Sequence, residues 1–320
     1  MSITVSGGIP TAFVDAFKDD LYHVCQQKKS LLEQAVTIEP VAGMESKAID
    51  MMGKLEMLTK EGRNPETPRN DVSLQRRWLF HDPYHNALQF DKDDDLEMKL
   101  APAGQAVKAL RMGRNRKVDD IILTIFEMSV NSGRRNNTST ITWSGQAGNT
   151  PYTSSSGGRT IPHDCSEGNC SSSDTGMTVE KIELVNEYFD MNSVDPDIPI
   201  WGAISPRQKT QLFGQEEYIN IDYNNDKPMT RGRLLGSWMG INWISTPKIT
   251  LGTTNDIGGD TNVYECWFWA QDAIILGVAD SITVQISDRA DLSHAQQVYV
   301  HMNMGGLRLD EDKVIKVECQ

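Results

Sequence analysis

The sequence predicts an α+β protein organised around one long helix, and three observations carry that expectation. Between residues 102 and 132, apolar side chains return to one helical face. Between residues 46 and 80 the apolar period drops to two. The final third is a succession of strand patterns with no helical period between them, the mix expected of helices and sheets in one α+β chain.

The long helix is expected to begin at Pro102, because proline's missing N–H has no intrahelical partner at the first helical position. Val107, Leu110, Val118, Ile121, Ile122, Ile125 and Phe126 form its apolar stripe, and Gly133 is the expected stop. Gly113 in its interior costs about 1 kcal/mol of helix propensity. Midway lie Arg111, Arg114, Arg116 and Lys117, followed at once by Asp119 and Asp120. Taken alone, that run reads as the solvated basic face of a core helix rather than as a nucleic-acid site.

Ahead of it, Phe13, Val14, Phe17, Leu21 and Val24 give residues 11–32 an amphipathic helical pattern. A helix so near the terminus either docks on its own domain or lies as an arm on a neighbour. Ile49, Met51, Leu55 and Met57, then Val72, Leu74, Trp78 and Phe80, alternate on either side of EGRNPETPRND, so residues 46–80 predict a long hairpin with a broad charged tip. A two-stranded ribbon is marginal alone in water. It has to lie on something, its own domain or a partner.

Beyond the helix, residues 136–176 are rich in Ser, Thr, Gly and Asn and read as a surface loop or insertion. Residues 178–194 predict a helix capped by Thr178, residues 198–204 a buried strand, and Ser205-Pro206 the opening of a short helix. GSWMGINWIST reads as one strand. VYECWFWA, AIILGVA, SITVQISDR and QVYVHMNMGG follow as strands, and Val314 and Val317 mark the last.

Composition narrows the function. The chain has 320 residues, 38% hydrophobic and 23% charged, with a net charge of −13, a balance that argues against a protein that coats DNA or a membrane surface. No apolar run approaches the ~20 residues of a membrane helix, and the N-terminus lacks the pattern of a signal peptide. Five scattered cysteines do not suggest a secreted disulfide framework, so folding in a reducing cytoplasm is expected.

Chemical motifs are few. There is no phosphate loop, dinucleotide fingerprint, HExxH or GxSxG, and neither catalytic residues nor a cofactor are expected. Asp91, Asp93 and Asp95 begin a calcium-loop rhythm, but Leu96 stands where glycine is needed and Pro102 where glutamate is. His81 and His85 are separated by Asp82-Pro83, which disfavours the helix that would put both on one face. His163, Cys165 and Cys170 lack a fourth zinc ligand. The aromatic cluster Trp267, Phe268 and Trp269 is expected in a core or an interface.

The order of elements, an N-terminal arm, a long charged-tip hairpin, a long helix, an α+β portion and returning strands, resembles the major capsid proteins of tailed double-stranded DNA bacteriophages, which have the HK97-type shell fold. FHDPYHNALQFDKDDDLEMKLAPAGQAVKALRMGRNRKVDDIIL is similar to that family's passage from hairpin into spine helix. VDPDIPIWGAISPRQKTQLFG is similar to its helix–strand–helix passage, and WAQDAIILGVADSITVQISDRADLSHAQQVYVHMNMGGLRLDEDKVIKVECQ to its closing strands.

That resemblance implies an arm at 1–45, an extended hairpin loop at 46–81 and a peripheral domain with its spine helix at 82–135. It further implies a Ser/Gly-rich loop or insertion at 136–177, a mainly axial domain at 178–270, and returning strands of both domains at 271–320. It implies a virion shell of pentamers and hexamers around double-stranded DNA, without sequence-specific binding and without a membrane. A separate scaffolding protein, a portal and a decoration protein are the implied partners. Arg63, Glu66, Arg69 and Asp71 at the hairpin tip, Arg76 and Arg77 at its base, Asp93 and Asp95 in the acidic run, and Arg111 and Arg114 on the helix are the candidate intersubunit contacts. A nanocompartment shell of the encapsulin type and a metal-dependent enzyme are the alternative readings.

Overall fold

The computed structural model describes residues 27–60, 62–63, 67, 71–90, 102–134, 137–142, 159–163, 175–215, 236–249, 263–292 and 294–320. The chain divides into two compact units. The larger comprises Ser30–Asp82, Val118–Ala279 and Met304–Gln320, and the smaller Met1–Lys29, Pro83–Lys117 and Asp280–Asn303.

In the larger unit a six-stranded sheet has the order β7-β14-β11-β8-β10-β9, formed by β7 (Thr160–Ile161), β8 (Ile200–Ile204), β9 (Ser237–Trp238), β10 (Ile241–Ser245), β11 (Tyr264–Ala270) and β14 (Val314–Cys319). β8 runs parallel to β10 and antiparallel to β11, which pairs antiparallel with β14. On one face, α2 (Val179–Met191) contributes Ile182, Val185 and Phe189 and α3 (Pro206–Leu212) contributes Leu212 to a core with Phe268, Ile315 and Val317. Ser205 caps α3 by accepting from the Arg207 N–H at 3.2 Å, and its hydroxyl donates to the Gln208 side-chain carbonyl three positions on. The opposite face carries Trp267, Trp269, Lys316 and Glu318. Alternation along β11 and β14 separates the two sets.

Both faces are covered, so that second set is buried as well. Phe126 stacks on Trp267 at 5.0 Å between ring centres and tilts against Trp269 at 4.8 Å, while the Trp269 indole donates to the Ala35 carbonyl at 2.8 Å. The buried Lys316 ammonium stays charged between Glu265 at 3.2 Å and Glu318 at 3.1 Å. Burial pushes its pKa down, and the two carboxylates more than restore it.

The predicted hairpin is present as β2 (Ser46–Met52) and β3 (Leu74–Phe80), antiparallel in the register Ser46↔Phe80 to Met52↔Leu74. β5 (Val130–Arg134) and β6 (Asn137–Ile141) complete its sheet in the order β2-β3-β5-β6. A third sheet has the order β1-β12-β13-β4, from β1 (Thr37–Pro40), β4 (Asp82–Phe90), β12 (Ile274–Arg289) and β13 (Ala295–Arg308).

The smaller unit contains most of β4, the later part of β12, the earlier part of β13 and the first part of the long helix α1 (Pro102–Glu127). Leu110, Val298 and Val300 are its buried apolar cluster, with Phe90, Val107 and Ile282 packed against them.

Several elements depart from the sequence reading. α1 ends at Glu127 rather than near Ser132, and Gly133, at φ 96°, serves strand β5 instead of closing the helix. Residues 27–32 are not helical, and residues 11–26 of the expected first helix lie outside the described residues. GSWMGINWIST is two strands, because Met239 and Gly240 both take positive φ, 52° and 77°, and reverse the chain in a two-residue turn. AIILGVA and SITVQISDR are one strand of 16 residues. HDPYHNALQF, left without an element by its mixed pattern, contains strand β4 from Asp82 onward.

Candidate assembly surfaces

The β2–β3 ribbon is anchored at its base. Leu79 is fully buried with Val41, Val130, Ile275 and Leu307. At Gly277 an added Cβ would meet the Leu79 side chain at 2.6 Å, and at Gly305 it would overlap the Phe80 carbonyl. Two glycines therefore let the ribbon's base settle directly against strands β12 and β13. The Trp78 indole donates to the Gly133 carbonyl at 2.8 Å.

Arg77 completes the anchor. Its guanidinium makes a bidentate pair with Glu311, both contacts at 2.7 Å, and donates to the Arg308 carbonyl at 2.9 Å. Arg308, itself fully buried, donates through Nη1 to the carbonyls of Ile125, Phe126 and Met128 at 3.1, 2.6 and 3.1 Å. Those carbonyls belong to the end of α1, where backbone acceptors lack helical partners and the helix dipole favours a cation. This cap is why α1 stops at Glu127. Burial pushes the Glu311 carboxyl up, but the hydrogen bonds and charge of Arg77, with the charge of Arg308, bring it below the usual glutamate value.

Asp119 supplies a second anchor. It is fully buried and accepts from the Ser30 hydroxyl at 2.5 Å and from the Leu31 and Leu32 N–H groups, both at 3.2 Å. It fixes the segment leading into β1. Asp120 pairs with Lys248.

The outer end of the ribbon is different. Leu74 is 72% exposed, Met52 68% and Met57 fully exposed, with Leu55 and Leu58 also on the surface. Gly53 still donates to the Ser73 carbonyl at 2.8 Å, but residues 53–60 are not strand, so Leu55 and Met57 lie beyond the alternation the sequence suggested. Scattered exposed apolar residues are ordinary. Five on the outer end of one thin ribbon form a sticky edge.

Of the candidate contact residues, Arg63 is exposed and Arg76 pairs with Asp50 on the ribbon's solvent face at 2.5 Å. Arg77 is not on that surface: its side chain is buried in the network just described. Arg111 is exposed on α1, and Arg114 donates to Asn115 at 3.0 Å and Ser281 at 3.4 Å. Glu66, Arg69, Asp93 and Asp95 lie outside the described residues.

Among the described residues no group of His, Cys, Asp or Glu is placed to hold a metal, and no helix is long and apolar enough to cross a membrane. His163 is buried, and its carbonyl accepts from the Thr175 hydroxyl and from Lys181; Cys165 and Cys170 lie outside the described residues. Cys266 and Cys319 are free, buried thiols, and burial pushes Cys266 up.

Sequence reasoning missed Asp119, Arg308 and Glu311. Their partners lie far away in the chain. Only the invariably charged type of an arginine before a DED turn was visible beforehand.

A ribbon fastened at its base, a long helix capped by a distant arginine and a sheet buried on both faces are the main features of the described fold. The chain belongs to the phage capsid protein family, whose profile matches residues 9–320. Solved structures agree in fold. The capsid of Ralstonia phage GP4 superposes with a TM-score of 0.68 at 15% identity, covering 100% of this chain and 98% of that one. The capsid of cyanophage P-SCSP1u gives 0.68 at 13% identity, covering 100% and 97%. The acid-stable capsid of Helicobacter pylori bacteriophage KHP30 gives 0.67 at 12% identity, covering 100% and 99%. No curated protein matches the chain. The chain is a major capsid protein with the HK97-like α+β fold, a structural component of a phage virion shell.

Proposed function

We propose that the chain assembles through pentamers and hexamers into a closed icosahedral shell around a double-stranded DNA genome, made in the cytoplasm of a bacterial host. The observation that carries this reading is the ribbon: firmly seated at Leu79 and Arg77, and apolar at an outer end that its own chain leaves uncovered. A neighbouring copy is the surface that covers it. Many such contacts, each small, sum by avidity once a ring closes.

In this reading residues 46–81 are the extended loop over a neighbour, α1 is the spine of a peripheral domain spanning 82–135, and residues 178–270 form most of the axial domain. Residues 1–45 are the arm. Arg63, Arg76, Arg111 and Arg114, with Glu66, Arg69, Asp93 and Asp95, are the intersubunit contacts that set register. Arg77 leaves the set, because its charge is satisfied inside its own chain. The resemblance to tailed-phage shell proteins supports a scaffolding protein, a portal and a decoration protein as partners.

Particle size tests the proposal. Purified protein, alone and co-expressed with its scaffolding protein, is sized by light scattering and imaged by negative stain. Closed shells or five- and six-membered rings are expected. A monomer or dimer under both conditions overturns it.

A further inference from the structure

Two thiols lie together in the core that α2 and α3 form with the six-stranded sheet. Cys266 of β11 and Cys319 of β14 are both fully buried there, and neither is in a disulfide. The register sets Cys266 opposite Val317 and Tyr264 opposite Cys319, so the two cysteines are diagonal neighbours on one face of the sheet. Their sulfurs are in hydrogen-bond contact.

A cation stands beside them. Lys181 of α2 is fully buried and donates to the carbonyls of His163 and Thr175, both at 3.0 Å, and of Glu318 at 2.8 Å, all of them neutral acceptors. Glu318 directly precedes Cys319, which places the ammonium next to that thiol. Burial pushes the Cys319 thiol up, but the hydrogen bond with Cys266 and the charge of Lys181 bring it below the ordinary thiol value. Burial and the Cys319 partner push Cys266 well above it. Cys319 is therefore the attacking sulfur of the pair, and Cys266 the resolving one.

We propose that Cys266 and Cys319 are an oxidation site, joined by a peroxide into a disulfide that fastens β14 to β11. The Cys319 thiolate attacks one peroxide oxygen, the O–O bond breaks, hydroxide leaves, and Cys319 becomes a sulfenic acid. Cys266 gives its proton to that hydroxide and its sulfur attacks the Cys319 sulfur. The S–O bond breaks, and a second hydroxide leaves with the proton that Cys319 had released. The two thiols lose two electrons, the peroxide gains them, and two waters form. A peroxide is small enough to enter through a local opening of the core.

Diagonal neighbours lie about 7–8 Å apart at Cα, against an upper limit of about 6.8 Å for a disulfide, so closure draws the strands slightly together. Such a bond is one that reducing agents reopen. Thiols stay reduced in a bacterial cytoplasm, so in the reading proposed above the bond forms after the chain has left it. The chemistry itself does not rest on that reading. The two cysteines are 53 positions apart, and joining them restricts the unfolded chain.

The test uses the unassembled full-length chain carrying Cys25→Ser/Cys165→Ser/Cys170→Ser, which leaves this pair alone to react. The chain is treated with excess hydrogen peroxide, then denatured, alkylated and weighed by mass spectrometry. A chain lighter by two hydrogens is expected, with a Cys266–Cys319 peptide pair that dithiothreitol separates and a higher urea midpoint than the reduced chain. Two alkylated thiols after peroxide overturn the inference, as does Cys319 carried to sulfinic acid beside an unchanged Cys266 thiol. An oxidised chain with an unchanged or lower midpoint overturns the fastening of β14. Adding Cys266→Ser removes the resolving sulfur, and Cys319 should then proceed to sulfinic acid; a Cys319 that stays a thiol overturns its role as the attacking sulfur. Every outcome is read on the unassembled chain, separately from whether shells form.

Discussion

The base and the outer end of the β2–β3 ribbon have similar composition and opposite fates. At the base, Leu79 is sealed among Val41 and side chains of β5, β12 and β13, and Arg77 has its charge met by Glu311. At the outer end, Leu74 and Met52 form a register pair that both point to solvent. The contrast is sharpest between adjacent residues. Arg76 pairs with Asp50 in the open, while Arg77, on the other face of the same strand, pairs with Glu311 in the interior. One end of the ribbon is fixed by its own chain, and the other carries its apolar side chains into solvent.

Arg77→Ala should have the largest effect on the fold. It strands Glu311 without its main partner and frees the Arg308 carbonyl, and breaking a buried pair costs about 3–5 kcal/mol. Urea unfolding of the unassembled chain should show a clearly lower midpoint. Gly305→Ala comes next, because its methyl group overlaps the Phe80 carbonyl and the strand must shift, at about 1–3 kcal/mol. Thermal unfolding reads it, and an unchanged midpoint would mean that the base is not seated on β13.

The network should also leave an acid signature. Glu311 has a folded-state pKa below its ordinary value of 4.5, so its stabilisation is complete above about pH 4.5 and is lost as pH falls through the folded value. Glu311→Gln should unfold more easily at neutral pH and show a flatter stability profile below pH 4.5 than the wild type.

Changes at the outer end should leave folding alone. Met57→Ser/Leu58→Ser is expected to keep the unfolding midpoint of the unassembled chain and to lower the yield of sedimenting shells. A fall in both would place these residues in the chain's own core. Smallest of all, Arg76→Ala removes an exposed pair of the kind that contributes little, and its unfolding midpoint should match the wild type.

The hairpin was legible in the sequence because a period of two survives any environment that buries one face. α1 was legible because its stripe, from Val107 to Phe126, repeats over more than five turns at ~3.6 residues per turn, and α3 because Ser205-Pro206 marks a helix start locally. The end of α1 was not, because it depends on Arg308, 181 positions beyond Glu127. The Met239-Gly240 turn was not either, since methionine carries no preference for positive φ.

Local pattern determined the paired strands of the hairpin, the apolar stripe of α1 and where α3 begins, because periodicity and capping act between near neighbours. Tertiary structure decided which of two adjacent arginines is buried, why Asp119 holds the segment before β1, and that Cys266 and Cys319 meet in the core. Those outcomes depend on residues that folding brings together from distant parts of the chain, and no spacing along the sequence encodes them.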